Sequence, residues 1–163
     1  MVIGNKIFEN NTYIMGILNV TPDSFSDGGK WNTLDSALKH AEQMIEEGAD
    51  IIDIGGESTR PQYTQISDDE EINRIIPIIE AVTSNFDVPV SVDTYKSRVA
   101  DAALSSGAVL INDIWGFKYD SKMADVCKKY NASCCLMHNR TKAVYTDFFE
   151  DVISDLKDSI TIA

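Results

Sequence analysis

The fold is decided by residues 14–29, which read IMGILNVTPDSFSDGG, a short apolar run that ends in a polar, glycine-rich loop. The same arrangement returns in residues 50–61, DIIDIGGESTRP. Apolar runs of this length are typical of strands that are covered on both faces. Paired glycines let a backbone turn sharply and approach a ligand closely, although mobile surface loops have a similar composition. We therefore interpret each stretch as a strand followed by a loop that is a candidate ligand-binding element.

Outward from these stretches, strand-like and helix-like segments alternate along the chain. Five apolar runs predict strands, at 13–18, 50–54, 88–92, 109–112 and 133–137. Helices are predicted after each strand, with caps at Thr33, Ser67 and Asp120 and a fifth helix that begins near Thr146. Pro77 is expected to kink the second helix or to end its regular hydrogen bonding. Residues 2–12 are predicted to form a short hairpin or arm before the first strand.

Alternation of strands and helices predicts an α/β fold with a parallel sheet and right-handed crossovers. The pattern alone favours a five-stranded doubly wound parallel sheet, because a (β/α)₈ barrel needs about 250 residues. In either fold the strand ends lie on one face, and polar residues mark them: Asn19, Asp53, Asp93, Asn112, Asp113 and His138. Any one of these residues can serve only as a turn former, so the five strand ends together are the stronger functional signal.

The composition excludes several classes of protein. The chain has 163 residues with 14 Lys and Arg against 26 Asp and Glu, a net charge of −12, which argues against a nucleic-acid-binding surface. Hydrophobic residues make up 44%, a globular value, and no apolar run approaches the roughly 18–20 residues that span a membrane. Three cysteines, Cys127, Cys134 and Cys135, do not suggest a disulfide framework. We expect a cytoplasmic protein with one domain over residues 1–163 and buried, unreactive cysteines.

Residues 14–29 and 50–61 closely resemble the first two signature motifs of the dihydropteroate synthase family. The resemblance continues through 91–94 (SVDT), 111–113 (IND) and 136–138 (LMH), and it covers essentially all of residues 13–138. It implies a TIM (β/α)₈-barrel type fold, here with only about five βα units, in place of the doubly wound sheet. It also implies a transferase of folate biosynthesis, which condenses (7,8-dihydropterin-6-yl)methyl diphosphate with 4-aminobenzoate to give 7,8-dihydropteroate and pyrophosphate.

The resemblance implies a magnesium site and two catalytic residues. Asn19 is the expected protein ligand of Mg²⁺, a hard cation that keeps water and phosphate oxygens. Thr59 is expected to contact the diphosphate, and Arg60 to stabilise the departing pyrophosphate. Asp93 is expected to stabilise the positive charge that develops on the pterin methylene when the bond to the diphosphate breaks early.

Substrate-binding residues follow from the same motifs. Asp93 and Asn112 are expected to hydrogen-bond the pterin ring, between apolar walls formed by Ile114 and Met137. The loops at 21–28 and 58–61 are expected to close over the site and to bind 4-aminobenzoate through three residues: Phe25, Ser58 and Pro61.

The family pattern goes on to a sixth, a seventh and an eighth strand, and the 163 residues contain none of them. We therefore expect a C-terminally incomplete pterin-binding domain that is weak or inactive as a synthase by itself. The alternative is a truncated, non-catalytic pterin-binding or scaffold fragment. Because a partial barrel has unpaired strand edges, we expect a homo-oligomer or association through those edges. Small-molecule substrates are the expected partners, with neither nucleic acid nor membrane involved.

Overall fold

The computed structural model describes residues 1–20, 29–58 and 64–163, except for the side chains of residues 29–33. The chain begins with the predicted hairpin, an antiparallel pair of β1 (Val2–Ile3) and β2 (Lys6–Ile7). Alternating strands and helices follow: β3 (Met15–Asn19), α1 (Gly29–Glu46), β4 (Ile51–Gly55), α2 (Asp68–Asn85), β5 (Val90–Asp93), α3 (Ser97–Ser105), β6 (Leu110–Asp113), α4 (Met123–Tyr130), β7 (Ser133–Leu136) and α5 (Phe148–Ile162).

Within the described residues, the five later strands form one parallel sheet in the order β3-β4-β5-β6-β7. This order follows the chain, as in an arc of a (β/α)₈ barrel, whereas a doubly wound sheet reverses its order at a switch point. The doubly wound alternative is therefore wrong. Each of β3 and β7 has a sheet neighbour on only one side within the described residues.

The two faces of this sheet have different coverings. The outer face packs against the helices through fully buried side chains such as Ile54, Val92 and Ile111. On the inner face, the hairpin residues Ile3 and Phe8 pack near the amino ends of the strands, in a separate small cluster with Ile51 and Leu110. The hairpin thus closes one end of the inner face, and the polar residues lie at the carboxyl ends of the strands.

The helix starts follow the sequence predictions in part. Ser67 caps α2, and its Oγ accepts a hydrogen bond of 3.2 Å from the Glu70 amide, as predicted. The cap at Thr33 is wrong, because α1 already begins at Gly29. The cap predicted at Asp120 is also wrong, because Lys122 is the N-cap residue of α4; the Asp120 carboxylate instead accepts bonds from the amides of Ser97 and Lys122, just outside or at the first residues of α3 and α4.

Pro77 lies inside α2 without ending it, since the helix continues for eight residues to Asn85. Burial of Ile78, Ile79 and Val82 beyond the proline stabilises that continuation, because packing of an apolar face outweighs one lost backbone hydrogen bond. Among the helices of the described residues, none combines the length and the apolar character that crossing a bilayer requires.

Candidate functional site

The register of the sheet brings the predicted strand-end residues to one level. Asn19 pairs with Gly55, Gly55 pairs with Asp93, and Asp93 pairs with Asn112. Residues that are paired across neighbouring strands point to the same face. Three polar side chains and one glycine therefore lie side by side on the inner face, at the carboxyl ends of the strands.

Gly55 leaves open space between two of these side chains. A Cβ atom at Gly55 would lie 3.4 Å from Asn19 Oδ1 and 3.9 Å from Asp93 Oδ2. Both oxygens therefore border the same small volume, which a larger side chain would fill. Oxygen atoms of this kind are the ligands that Mg²⁺ prefers.

Asp53 lies one level deeper on the same face, where it is 4% exposed. Its Oδ2 accepts a hydrogen bond of 3.0 Å from Asn112 Nδ2, which reaches across the intervening strand β5. Burial raises the pKa of Asp53, and the hydrogen bond from Asn112 only partly opposes that effect. The bond fixes the orientation of the Asn112 side-chain amide, and therefore also the direction of its Oδ1 and of its second N–H.

Asp93 is the most perturbed carboxyl group of the site. Burial raises its pKa to about 7, with a further contribution from the negative charge of Asp53 and of more distant carboxylates. Its Oδ1 is buried and has no hydrogen-bond partner among the described residues. A buried, partly ionised acceptor that lacks a donor is suited to a ligand that supplies N–H groups.

The two predicted apolar walls lie next to this row. Ile114 directly follows β6 and is half-buried. Met137 lies two residues after Cys135, which pairs with Asn112, and its side chain is 45% exposed. Ile114 thus lies two residues after Asn112 in the chain, and Met137, which is largely open to solvent, donates its amide to the Asp113 carbonyl at the end of β6.

Asp113 does not join the other strand-end residues, contrary to the sequence prediction. It is fully buried, and its two oxygens accept bonds from the amides of Trp115 (2.7 Å) and Phe117 (2.9 Å). The turn that it holds has positive φ angles at Gly116 (57°) and Phe117 (67°). Because successive residues of a strand point to opposite faces, Asp113 points away from Asn112 and stabilises its own loop.

His138 binds a carboxylate on the last helix. Its Nε2 lies 2.8 Å from Asp155 Oδ2 on α5, and Arg140 also binds that carboxylate. The Arg140 guanidinium is the main reason that the pKa of Asp155 falls to about 2.

The cysteines are not all buried. Cys127 is buried as predicted, but burial is wrong for Cys134 and Cys135, because β7 is at the edge of the described sheet and both of its cysteines are exposed.

Several predicted site residues lie outside the described residues: Phe25, Thr59, Arg60 and Pro61. Ser58 is described, and it is half-buried directly after Glu57. The roles of all of these residues remain predictions.

A buried ionic cluster next to the site was not anticipated from the sequence. Lys96 Nζ lies 2.7 Å from both Glu57 Oε2 and Glu71 Oε2, and all three side chains are at most 6% exposed. Burial lowers the pKa of Lys96, but its hydrogen bonds to the two glutamates outweigh that effect and raise it above its usual value. Burial raises the pKa of Glu71. The signal that could have revealed the cluster is a charged residue next to each of two buried strands.

A separate cleft of about 630 Å³ lies between the loop after β6 and the loop after β7. Its lining includes Trp115, Lys118 and Arg140 and contains none of the predicted site residues. The candidate site is therefore the polar row on the inner face rather than this cleft.

Comparison with known proteins places this chain among pterin-binding proteins. The model of the family described as "Pterin binding enzyme" matches residues 15–163. A dihydropteroate synthase of Clostridium beijerinckii is 60% identical over all of this chain, which covers 61% of that relative. For the dihydropteroate synthase of Bacillus subtilis the identity is 57%, over 96% of this chain and 55% of the relative. The chain thus spans about half to three fifths of the length of the curated relatives it matches.

Solved structures are similar over the same region. Dihydropteroate synthase from Clostridium difficile, crystallised in the presence of pteroic acid, superposes with a TM-score of 0.93 at 50% identity, over 96% of this chain and 61% of that one. The enzyme of Burkholderia cenocepacia, complexed with 7,8-dihydropteroate, gives a TM-score of 0.80 at 41% identity, over 93% of this chain and 53% of that one. These neighbours are barrels of the TIM type, and this chain matches part of the barrel.

Proposed function

Because the chain belongs to the pterin binding enzyme family, we propose that its inner-face site binds (7,8-dihydropterin-6-yl)methyl diphosphate. In a complete barrel, this site joins that substrate to 4-aminobenzoate and yields 7,8-dihydropteroate and pyrophosphate. The chain thereby contributes to a transferase of folate biosynthesis, a dihydropteroate synthase. Relatives and structural neighbours that carry this name support the proposal.

The observation that carries the proposal is the pairing of Asp93 with Asn112 at one level of the inner face. A pterin ring presents neighbouring N–H donors and ring acceptors along one edge. An ionised carboxylate next to a carboxamide offers the complementary set of acceptors and donors. Asp93 Oδ1 has no donor among the described residues, so a ring N–H would satisfy a buried acceptor that is otherwise left unpaired.

The Asp93 carboxylate is also suited to a reaction in which the bond to the diphosphate breaks before the new bond forms. The bond between the pterin methylene and the diphosphate oxygen breaks, the ring delocalises the positive charge, and the nitrogen of 4-aminobenzoate then bonds to the methylene carbon and loses a proton. Ionised Asp93 stabilises the positive charge on the ring by electrostatic attraction. Asn112 holds the ring in register, because its own amide is fixed by Asp53.

The side-chain oxygens of Asn19 and Asp93 beside Gly55 are suited to a magnesium ion. Within the described residues, no group of three His, Cys, Asp or Glu side chains is placed to hold a metal. Mg²⁺ does not require one, because it keeps several waters and phosphate oxygens and takes one or two protein oxygens. We propose Asn19 Oδ1 as that protein ligand, on the space that Gly55 leaves beside it. When bound, the ion supplies positive charge to the diphosphate leaving group.

The remaining site residues are assigned by motif. We propose that Thr59 and Arg60 bind the diphosphate and that Phe25, Ser58 and Pro61 surround the ring of 4-aminobenzoate. We propose Ile114 and Met137 as the apolar walls of the pterin site, in line with their positions beside Asn112.

We also propose association through the sheet edges and a cytoplasmic location. Within the part of the chain that the structure describes, β3 and β7 each have one unpaired edge, and these edges and exposed apolar side chains such as Ile17 (62%) and Phe149 (69%) favour association. Free thiols at all three cysteines are consistent with a reducing compartment. A monomeric, monodisperse species in light scattering would contradict the association.

Calorimetry tests the proposed binding. We expect the chain to bind the pterin diphosphate in the presence of Mg²⁺, and Asp93→Asn to weaken that binding by about tenfold or more, as for loss of a charge-assisted hydrogen bond. Asp101→Asn is the matched control, since Asp101 lies on α3 and pairs with Lys129. Equal affinities for Asp93→Asn and the wild type would refute the proposal.

A pyrophosphate-release assay with both substrates then separates catalysis from binding. Turnover would make this chain a synthase by itself. Binding without turnover would favour the alternative, a non-catalytic pterin-binding fragment.

A further inference from the structure

Two side chains hold together the start and the end of the segment that carries the second motif loop, residues 58–65. Glu57 precedes the segment and Ile66 follows it. Glu57 Oε2 accepts a hydrogen bond of 2.8 Å from the Ile66 amide, and Lys96 Nζ donates to the Ile66 carbonyl at 2.9 Å. Both backbone polar groups of Ile66 are therefore bound by side chains from distant parts of the sequence.

The same two side chains join the segment to β5, the strand that ends in Asp93. Tyr95 and Lys96 lie two and three residues after Asp93, and the Tyr95 hydroxyl donates a hydrogen bond to Glu57 Oε1. Lys96 also binds Glu71 on α2. One ammonium group thus contacts two carboxylates and one carbonyl, in a place where its side chain is only 6% exposed.

Filling buried space does not by itself explain this cluster of charges. Apolar side chains of similar volume fill buried space at least as well as a buried ion pair, so packing alone does not require these charges. Only a cation with several N–H donors can bind the Ile66 carbonyl and both glutamates at once. The cluster therefore fixes where the 58–65 segment begins and ends relative to Asp93.

We propose that Lys96 and Glu57 are positioning residues, which hold Ile66, at the far end of the second motif loop, at a fixed place relative to Asp93 so that the diphosphate and the ring of one pterin ligand are bound together. The ligand in this inference rests on the proposed function. The anchoring itself rests only on the described contacts.

Hydrogen exchange of the free chain tests the anchoring. We compare the exchange rates of the Ile66 amide and of the Ile52 amide, which bonds the Pro89 carbonyl in the core of the sheet. In Lys96→Met the Ile66 amide is expected to exchange about tenfold faster or more, by local opening, with Ile52 unchanged. Lys129→Met is the matched control, because it removes an exposed lysine that pairs with Asp101 at 2.7 Å, and neither amide is expected to change.

A second variant distinguishes loss of the anchoring contact from unfolding of the whole chain. Lys96→Met leaves buried glutamates without a cation, whereas Lys96→Met with Glu71→Leu removes one of those charges and restores apolar packing. The double variant is expected to fold and still to show faster exchange at Ile66. Wild-type exchange at Ile66 in the folded double variant would overturn the anchoring, as would equal acceleration at Ile66 and Ile52.

Calorimetry with two ligands tests the coupling to binding. The double variant is expected to lose about tenfold in affinity for the pterin diphosphate and to keep wild-type affinity for the corresponding pterin alcohol, which lacks the diphosphate. Unchanged affinity for the diphosphate, or equal losses for both ligands, would overturn the coupling. If the wild type binds neither ligand, the proposed function fails and the coupling fails with it, while the exchange rates still decide the anchoring.

Discussion

Asn112 Nδ2 donates a hydrogen bond of 3.0 Å to Asp53 Oδ2, and this bond joins β6 to β4 across the intervening strand β5. It satisfies one oxygen of a carboxyl group that is 4% exposed. The bond therefore ties the deep level of the inner face to the level at which Asp93 lies. Its loss should affect both the stability of the fold and the binding of a ligand.

Replacing Asn112 by Ala should lower the free energy of unfolding by about 1–3 kcal/mol, because Asp53 would remain buried with one bond fewer. Urea denaturation at neutral pH measures this change. Asn85→Ala is a matched control, since the Asn85 amide donates to the Ala81 carbonyl on the exposed side of α2, and its cost should be about 0.5 kcal/mol or less. A double-mutant cycle with Asp53→Leu should show strong non-additivity; additive costs would mean that the bond does not couple the two residues.

Asp93 should make stability depend on pH in a direction opposite to that of an ordinary paired carboxylate. Its pKa is about 7 in the folded chain against an ordinary value of 3.8, so the folded state keeps a proton that the unfolded state releases. Stability from this residue is therefore present below about pH 4 and is lost as the pH rises through about 7.

Asp93→Asn removes this dependence. The variant should gain stability relative to the wild type as the pH rises from 5 to 8, which urea denaturation at both pH values measures. Asp101→Asn is the control, because Lys129 lowers the pKa of Asp101 and so gives it no such gain. A stability difference between Asp93→Asn and the wild type that does not change with pH would show that Asp93 is ionised over the whole range.

Ser67→Ala should lower the free energy of unfolding by about 1 kcal/mol, because the Glu70 amide at the start of α2 would lose its acceptor. Ser67→Asp should retain most of the stability, since a carboxylate also accepts this bond and favours a helix amino end. Thermal or urea denaturation distinguishes the two variants. Similar losses in both would mean that the side chain contributes by something other than capping.

Much of the fold could be predicted from the sequence, because strong local signals coincide with the elements. The apolar runs identify all five strands of the parallel sheet, and Ser67 with Glu70 identifies the start of α2. The order of the strands could not be derived from the pattern, since the same alternation of strands and helices suits two architectures. The motif resemblance, rather than periodicity, favoured the barrel type.

The positions of site residues could be predicted where they follow from a strand end alone. Which partner a side chain binds could not be predicted. Asn19, Asp93 and Asn112 come to one level because each ends a strand in a parallel sheet. Asp113 was misassigned because a strand end does not reveal whether a carboxylate faces the site or the amides of its own turn.

The ionic cluster was missed for a related reason. Lys96 and Glu57 are 39 residues apart, and only the folded chain shows that they share a buried space. A charged residue next to a buried strand marks each position, but it does not reveal which distant residue is its partner.

The ionisation of Asp93 in the presence of a pterin tests the central claim most directly. Carbon-13 NMR of the aspartate carboxyl groups can follow its titration with and without saturating dihydropterin. The free chain should show a pKa of about 7, and bound pterin should lower it clearly, because ring N–H groups that donate to Asp93 favour the ionised form. A pKa that stays at about 7 with the ligand bound would contradict the account, since the pterin would then lie somewhere other than at Asp93 and Asn112.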